Sequence, residues 1–299
     1  MDVSAPILTV VIPVYNREEK VRGVLACLSA QTSRRFKVIL VDNASTDGTL
    51  NVLREWAVGQ LFDVRVLSES CRGAAAARQC GLDAVDTEWT LFFDSDDTME
   101  AGHISRVVSA IGDNEDAELI GWDIKFHYID GRCVVKPFVA SQYRSLFDGT
   151  MGTQRYCART SLFRRSGGWD KEVGLWDDIE LGARLLALKP KTMKLEGDPT
   201  VSVFLGDDSI SLKEDVFHME EADVALRKIA ATVGAKGRDR CALKKIILAA
   251  RTGGCYAYDM FREILGSTRG GRRLLLTLAY HYVRMGGRGI ARILRPFFE

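Results

Sequence analysis

Three carboxylates lie within four residues of one another at Asp94–Asp97, in the order Asp-Ser-Asp-Asp. Carboxylates held this close repel one another unless a cation neutralises them. A small set of hard oxygen ligands suits Mg²⁺ or Mn²⁺, because phosphate and water oxygens can complete the coordination of either ion. A solvated acidic turn is the alternative, but the apolar run Trp89–Phe93 directly before the acids predicts a buried strand. We therefore expect a divalent-cation site where this strand ends.

Two further polar clusters follow apolar runs near the start of the chain. Tyr15–Asn16 follow the β-rich run Ile7–Ile12, and Asp42–Asn43 follow the run Phe36–Val41. Runs of this composition are typical of strands that are buried on both faces. The sequence therefore places all three polar clusters at the ends of buried strands.

Between these runs, apolar residues recur at helical spacing, so that strands and helices alternate. Predicted helices cover Glu18–Ala30, Gly73–Val85, Ile179–Leu188 and a segment after the cap residues Ser45–Gly48, and further predicted strands cover Val64–Leu67 and Leu119–Ile129. Such alternation indicates an α/β fold with a mostly parallel sheet flanked by helices. In these folds ligands bind beyond the carboxyl ends of the strands, where the three polar clusters should converge.

Charge is distributed unevenly along the 299 residues, although the formal net charge is only +1. Residues 227–299 contain 16 Lys/Arg and 4 Asp/Glu, a net charge of +12, which leaves −11 for residues 1–226. We place a domain boundary at this change, with a catalytic domain over 1–226 and a basic, mainly helical region over 227–299. A basic region on an acidic protein indicates an anionic partner.

Other classes of protein are not favoured. The seven cysteines include no Cys-x-x-Cys pair, which indicates reduced thiols in the cytoplasm and neither a disulfide framework nor a zinc site. The first residues lack the basic segment of a signal peptide, and the apolar stretch Leu274–Val283 is shorter than the ~20 residues of a spanning helix. No P-loop or Gly-x-Gly-x-x-Gly motif follows a strand, and we expect no nucleic-acid partner.

Several motifs, in order, resemble those of the family 2 glycosyltransferases, which have the GT-A fold. They are Pro13–Asn16, Val41–Thr49, Arg72–Arg78, Asp94–Asp97, Gly167–Asp170 and Trp176–Asp178. The similarity covers about residues 7 to 190. It implies a Rossmann-like domain that binds a nucleotide-sugar, a divalent cation, and inversion at the anomeric carbon.

The resemblance assigns several residues to the nucleotide base. Three of them would border the base: Pro13, Tyr15 and Asn16. Asp42 and Asn43 would read its edge, although the family often has two acids here, and Asn43 could instead serve as a turn residue. An Asn carbonyl can accept the imide N–H of uracil or thymine, but it could equally serve another base. Glu18 would contact the ribose or base, or else lie on the surface as a helix N-terminal acid.

Further residues would hold the diphosphate, the metal and the sugar. Arg72 and Arg78 would bind diphosphate oxygens, with a helix-surface charge as the alternative for Arg78. The acidic motif divides as follows: Asp94 contacts the ribose or the metal, Ser95 belongs to the donor site, Asp96 ligates the metal, and Asp97 orients the sugar or a water. Asp207 or Asp208, in a segment that also resembles the family, could complete the metal shell.

By its position in the matching motif, Asp178 would be the general base. It would take the proton from the acceptor hydroxyl that attacks the anomeric carbon. Asp177 and Asp178 could instead only cap the helix that follows, and for Asp177 the cap is the favoured role.

The basic region 227–299 has two interpretations. Its helices could pack on the catalytic domain with a solvated basic face, or they could lie on an anionic membrane surface, as suits a lipid-linked acceptor. The sequence thus predicts an inverting, metal-dependent enzyme that moves a sugar, with a UDP-sugar favoured, to a saccharide or lipid-linked saccharide in surface polysaccharide synthesis. The expected location is cytoplasmic, with peripheral attachment to the membrane under the second interpretation. A nucleotide-sugar-binding pseudoenzyme and a nucleotidyltransferase that makes nucleotide-sugars are the alternatives.

Overall fold

The computed structural model describes residues 5–205 and 216–298. The strands are β1 (Leu8–Val14), β2 (Phe36–Asp42), β3 (Val64–Ser68), β4 (Trp89–Phe92), β5 (Thr98–Met99), β6 (Leu119–Trp122), β7 (Ile124–His127), β8 (Cys133–Lys136), β9 (Tyr156–Arg159), β10 (Thr192–Leu195) and β11 (Val201–Phe204). The helices are α1 (Val21–Ser29), α2 (Thr49–Val58), α3 (Ala74–Asp83), α4 (His103–Asp113), α5 (Gln142–Asp148), α6 (Thr160–Arg165), α7 (Asp177–Ala187), α8 (Val216–Thr232), α9 (Gly234–Thr252), α10 (Gly254–Ser267), α11 (Gly270–Arg284) and α12 (Ile290–Phe298). Asp207 and Asp208 lie outside the described residues.

A seven-stranded sheet in the order β10-β6-β9-β4-β1-β2-β3 forms the core. Its strands pair in parallel except β9, which runs antiparallel to both β4 and β6. β1 and β2 are in register from Leu8 with Phe36 to Val14 with Asp42. Their carboxyl ends therefore meet at one edge of the sheet, and the predicted mostly parallel α/β fold is confirmed.

The segment 119–129, which we predicted as one strand, forms two strands in different sheets. β6 belongs to the large sheet, whereas β7 pairs with β8 and β11 in a second sheet of order β5-β11-β7-β8. Asp123 separates the two strands, and its carboxylate accepts the backbone N–H of Phe138 at 2.8 Å and binds Lys194 at 3.0 Å. A polar residue fixed by these contacts interrupts the apolar run and redirects the chain.

Helix α3 lies unusually close to the sheet because its inner face consists of small residues. A Cβ atom added at Gly81 would lie 2.3 Å from Cγ1 of Val11 on β1, closer than real Cβ contacts allow. Ala75 and Ala77 are buried against the same sheet. This close approach brings the N-terminal end of α3 to the carboxyl edge of the sheet.

The basic C-terminal region is helical, as predicted, and packs against α5 and α7 together with α8. Tyr143 of α5 packs with apolar residues of α9 to α12, and its hydroxyl donates to the backbone carbonyl of Ala291. Ile179 of α7 packs with Leu226 and Ile229 of α8. Position 226, where we placed the domain boundary, falls inside α8. Within the described ranges, no helix is both long and apolar enough to cross a membrane.

Candidate active site

A cleft of about 720 Å³ opens at the carboxyl ends of β1, β2 and β4. Its volume lies in the range typical of small-molecule sites. It is lined by most of the predicted site residues: Pro13, Tyr15, Asn43, Arg72, Arg78, Asp94, Ser95, Asp96, Asp97 and Asp178. The opposite wall comes from the second sheet and includes Phe126, Lys136 and Phe204. The structure thus brings these residues together, while Asn16, Glu18 and Asp42 do not line the cleft.

An aromatic ring and a guanidinium form one end of the cleft. Tyr15 follows β1 and is 40% exposed, and the guanidinium carbon of Arg72 lies 4.9 Å from its ring centroid. Arg72 precedes α3, whose position is set by the close packing on β1. A flat, half-exposed surface beside a cation suits a nucleotide base and its phosphates.

Asn16 and Glu18 hold the loop that follows β2. Asn16, in the left-handed region at φ 48°, accepts the backbone N–H of Thr46 at 2.8 Å through its side-chain oxygen. A carboxylate oxygen of Glu18 accepts the N–H of Gly48 at 3.0 Å, just before α2 begins. Both side chains therefore connect the loops after β1 and β2, and a carboxylate beside a helix N-terminus is stabilising.

Asn43 is fully engaged in building the loop before α3. Its amide nitrogen donates to the carbonyls of Glu69 (3.1 Å) and Cys71 (2.7 Å), and its amide oxygen accepts the N–H of Gly73 at 2.8 Å. A carboxylate could not donate to two carbonyls, which gives a physical reason for Asn where the family often has an acid. Neighbouring Asp42 is buried and accepts the N–H of Ser45, and its other carboxylate oxygen has no partner among the described residues.

The acidic motif is organised by a residue that the sequence did not single out, Gln154. Its amide nitrogen donates to both Asp94 and Asp97, at 2.5 Å in the second case. The other oxygen of Asp97 accepts the N–H of Phe204 at 3.0 Å, so both of its oxygens are occupied. Burial, with the charges of Asp94 and Asp96 added, raises the pKa of Asp97 well above its ordinary value.

Arg78 connects the acidic motif to the start of α7. One nitrogen donates to Asp94 at 2.7 Å and another to Asp177 at 2.6 Å, while the guanidinium carbon lies 4.8 Å from the ring of Trp169. Burial lowers the pKa of Arg78, but the carboxylates of Asp177 and Asp94 outweigh it and raise the pKa above its ordinary value. The side chain is thus a buried, doubly paired cation and not a helix-surface charge.

Asp177 and Asp178 open helix α7, after Trp176 in the left-handed region at φ 60°. Asp177 accepts the N–H of Asp178 at 3.0 Å, and Asp178 accepts the N–H of Ile179 at 2.8 Å through one oxygen. The other oxygen of Asp178 faces the cleft beside Gly152, where an added Cβ would lie 3.7 Å away. Burial and the neighbouring Asp177 raise the pKa of Asp178 to about 7.

Asp96 is the most accessible acid of the motif. Its side chain is 43% exposed and lies 3.8 Å from Arg17, a cation that the sequence analysis did not include. Within the part of the chain that the structure describes, no three His, Cys, Asp or Glu side chains are placed to hold a metal. The donor set nevertheless fits Mg²⁺ or Mn²⁺, because these ions take one or two carboxylates and complete their shell with phosphates and water.

Arg17, Thr153 and Gln154 are the site residues that sequence reasoning missed. Arg17 follows the Tyr15–Asn16 cluster directly, and a basic residue at a strand end was an available signal. Thr153 donates to Asp94 at 3.3 Å from a one-turn 3₁₀ helix, Thr153–Arg155. No spacing rule links positions 153 and 154 to the acids about 60 residues earlier, so only the fold reveals them.

Comparisons with known proteins identify the family and the fold of the chain. Residues 9–165 match the model of the family described as glycosyl transferase family 2. Glycosyltransferase AglE of Haloferax volcanii is 29% identical over 133 residues, which are 44% of this chain and 43% of that protein. The chain thus spans less than half the length of this curated relative. The match to the family model, over residues 9–165, covers more than half of the chain, so the chain belongs to glycosyl transferase family 2. The prediction of a glycosyltransferase is confirmed at the level of the family.

Two solved structures have the same fold. Residues 1–349 of TarS from S. aureus, in complex with UDP-GlcNAc, match with a TM-score of 0.66 and 18% identity, over 97% of this chain and 91% of that one. A mannosyltransferase from Pyrobaculum calidifontis, in complex with GDP-Man and Mn²⁺, matches with a TM-score of 0.56 and 17% identity, over 98% and 87% of the two chains. At these identities the likeness shows the fold, and the predicted GT-A architecture is confirmed.

Proposed function

We propose that the protein is an inverting, metal-dependent glycosyltransferase with Asp178 as its general base. The observation that carries the proposal is the state of this carboxylate. It is fixed at the start of α7, faces the cleft with one oxygen, and has a pKa of about 7. A base with a pKa near the working pH is both available and strong enough to take a proton.

The chemistry follows from the position of Asp178. Its free oxygen accepts the proton of an acceptor hydroxyl while that oxygen forms a bond to the anomeric carbon. The bond from this carbon to the nucleotide diphosphate breaks on the opposite face, and its electrons leave with the diphosphate. Attack opposite the leaving group inverts the configuration. Gly152, which has no side chain of its own, lies beside Asp178 in the lining of the cleft, and we assign this position to the acceptor.

Asp96 is the residue we assign to the metal, because its carboxylate is exposed to the cleft, whereas Asp97 is buried with both oxygens hydrogen-bonded. Asp94 has both oxygens engaged, by Arg78 and Gln154. A bound Mg²⁺ or Mn²⁺ would neutralise charge on the departing diphosphate. Arg17 and Arg72, which also line the cleft, would bind phosphate oxygens, while Arg78 holds the acids in place.

For the donor we favour a UDP-sugar. Tyr15 and Arg72 line the cleft and offer a stacking surface that suits a pyrimidine base. TarS, whose fold this chain shares, binds UDP-GlcNAc in its crystal structure. Asn43 supports this site indirectly, by holding the loop that presents Arg72.

For the acceptor we favour a saccharide or lipid-linked saccharide in surface polysaccharide synthesis, at the cytoplasmic face of a membrane. The basic composition of residues 227–299 supports this. In this proposal, residues 1–226 bind the donor and catalyse the transfer, and residues 227–299 support them by packing against their surface. Lys244 of α9 is an example of this packing, because its ammonium lies 4.7 Å from the ring centroid of Trp176, the residue before the two acids of α7.

The test combines donor binding with turnover. UDP-, GDP- and dTDP-sugars are screened by thermal shift with and without Mn²⁺, since a ligand that binds only the folded state raises its stability. Asp178→Asn should keep the metal-dependent shift but lose transfer by about 10²- to 10⁴-fold, the usual contribution of a general base. Asp116→Asn, at an exposed acid, is the matched control. Near wild-type transfer by Asp178→Asn would refute the assignment.

The metal assignment has its own variant. Asp96→Ala should fold normally yet lose the part of the donor-induced shift that depends on Mn²⁺. Asp113→Ala, which removes an exposed acid from the end of α4, should retain it. Full metal-dependent turnover by Asp96→Ala would show that the acidic motif does not bind the ion.

A further inference from the structure

Helix α11 has an apolar face that no described part of the chain covers. Four large apolar side chains are 37 to 82% exposed: Leu274, Leu278 and Tyr282 on the helix, and Met285 directly after it. At about 100° per residue they fall within an arc of about 80°, so they form one stripe. Leu276, Ala279 and Val283 lie on the opposite face and are buried in the helical core. Helix α11 is therefore apolar on both its inner and its outer face.

Helix α12 repeats this arrangement. Ile290, Leu294 and Phe298 face the core, while Ile293 and Phe297 are more than half exposed. Single exposed apolar residues are ordinary on protein surfaces, whereas a contiguous set marks an interaction site. We call the exposed side chains of α11 and α12, with Met285, the outer apolar face.

The charge around the outer apolar face is of one sign. Residues 268–298 contain seven arginines and no acidic residue. Arg272 pairs with Asp239 of α9, toward the core, whereas Arg273, Arg288 and Arg292 are exposed beside the face. Apolar side chains among exposed cations are typical of helices that lie in the interface of an anionic bilayer.

We infer that the outer apolar face binds the surface of an anionic lipid bilayer, with Leu274, Leu278 and Met285 inserted among the headgroups and the arginines on lipid phosphates. A second copy of this chain would also cover apolar residues. However, it would bring two arginine-rich surfaces together with no acidic residue of this segment between them. Charge complementarity therefore favours the lipid surface. The inner faces of the same helices pack in the helical core that also contains Tyr143 of α5, so both interpretations of the basic region apply, one to the inner faces and one to the outer faces.

Vesicle flotation without any sugar donor tests this inference independently of the transfer reaction. The full chain should bind vesicles of phosphatidylcholine with about 30% phosphatidylglycerol, and not phosphatidylcholine alone. Binding should fall steeply between about 0.15 M and 1 M salt, because the Debye length shrinks from about 8 Å to 3 Å. Replacing Arg273, Arg288 and Arg292 together by Gln should weaken binding on the order of 100-fold, given the contribution of each cation near an anionic leaflet.

Matched controls separate the face from general surface properties. Leu278→Gln with Met285→Gln should also abolish stable binding, while Val58→Gln with Leu61→Gln, at exposed apolar residues on and after α2, should not. Arg22→Gln, Arg54→Gln and Lys189→Gln remove the same charge from exposed positions elsewhere and should leave binding nearly unchanged. Light scattering reports the oligomeric state of each variant. The inference is overturned if the full chain ignores anionic vesicles, if the face variants bind like the controls, or if the chain is a dimer that only the face variants dissociate.

Discussion

Asp178→Asn should make the protein more stable as well as inactive. Burial and Asp177 raise the pKa of Asp178 from 3.8 to about 7, so the folded protein holds this proton more tightly than the unfolded chain does. Folding stability associated with this group is therefore present below pH 3.8 and is lost as the pH rises to about 7. Asparagine keeps an acceptor for the N–H of Ile179 but carries no charge to bury. The variant should therefore not lose this stability as the pH rises.

The size of the effect follows from the shift. Each pKa unit is worth about 1.4 kcal/mol, so Asp178 titrating alone would cost about 4 kcal/mol above pH 7. Because Asp177 shares the interaction and Arg78 offsets part of it, and because the side chain is only partly buried, we expect about 1–2 kcal/mol. For a chain of this size that corresponds to a rise in Tm of about 2–6 °C.

The assay is thermal unfolding of wild type and variant between pH 4 and pH 8.5. The difference in Tm should be near zero at the acidic end, grow with pH and level off above about pH 7. Asp177→Asn is the contrasting variant, because Asp177 accepts a 2.6 Å hydrogen bond from the buried Arg78. Removing one partner of a buried ion pair costs about 3 kcal/mol or more, so this variant should unfold at a lower temperature at neutral pH.

If the difference in Tm between wild type and Asp178→Asn is constant across the pH range, Asp178 does not titrate abnormally. If Asp178→Asn has the lower Tm at pH 8, the charge of Asp178 stabilises the fold. Either result would remove the physical basis for its role as base.

Further expectations concern turnover and the residues around the acids. In the wild type, kcat/KM should rise with pH, reach half its maximum near pH 7 and level off above about pH 8, as Asp178 loses its proton. A flat profile would exclude Asp178 as the base. Arg78→Lys should lower the free energy of chemical unfolding by about 2–4 kcal/mol, because the lysine ammonium cannot pair with Asp94 and Asp177 at once as the guanidinium does. The control Arg22→Lys should cause no measurable change. Gln154→Leu removes one hydrogen-bond donor each from Asp94 and Asp97 and should lower stability by about 1–3 kcal/mol with loss of nucleotide-sugar binding; unchanged binding would mean that Gln154 does not organise the motif. Asn43→Asp places a carboxylate against two carbonyl oxygens and should weaken donor affinity through Arg72, in contrast to what the family pattern alone suggests; wild-type affinity would contradict the loop-holding role.

Much of the fold could be predicted because it depends on local patterns. The runs before Tyr15, Asp42 and Asp94 are apolar enough to be strands buried on both faces, and parallel pairing then brings their ends together. The same logic failed at residues 119–129, where one polar residue, Asp123, stands between two strands that we predicted as one. Only the contacts of Asp123 with Phe138 and Lys194 show where the chain leaves the first sheet.

The predictions for single side chains were limited by what the sequence cannot show, namely their partners. Arg78 was assigned to the diphosphate, but Asp94 and Asp177 occupy its guanidinium. Gln154 could not be foreseen, because nothing local marks an amide that reaches two acids about 60 positions earlier. The position of a side chain at a strand end was thus accessible from sequence, whereas its long-range hydrogen-bond partners were not.

The packing of the C-terminal helices also has a consequence for how the protein is made. The contact between Tyr143 and Ala291 spans 148 positions, which a ribosome takes about 7–30 s to translate at 5–20 residues per second. During that interval α5 and α7 have emerged without the helices that cover them, and Tyr143 and Phe147 remain exposed. A nascent chain should therefore offer chaperones an apolar target near Asp177 and Asp178. It should acquire a rigid Asp178 only after the residues of α9 and α12 have left the exit tunnel.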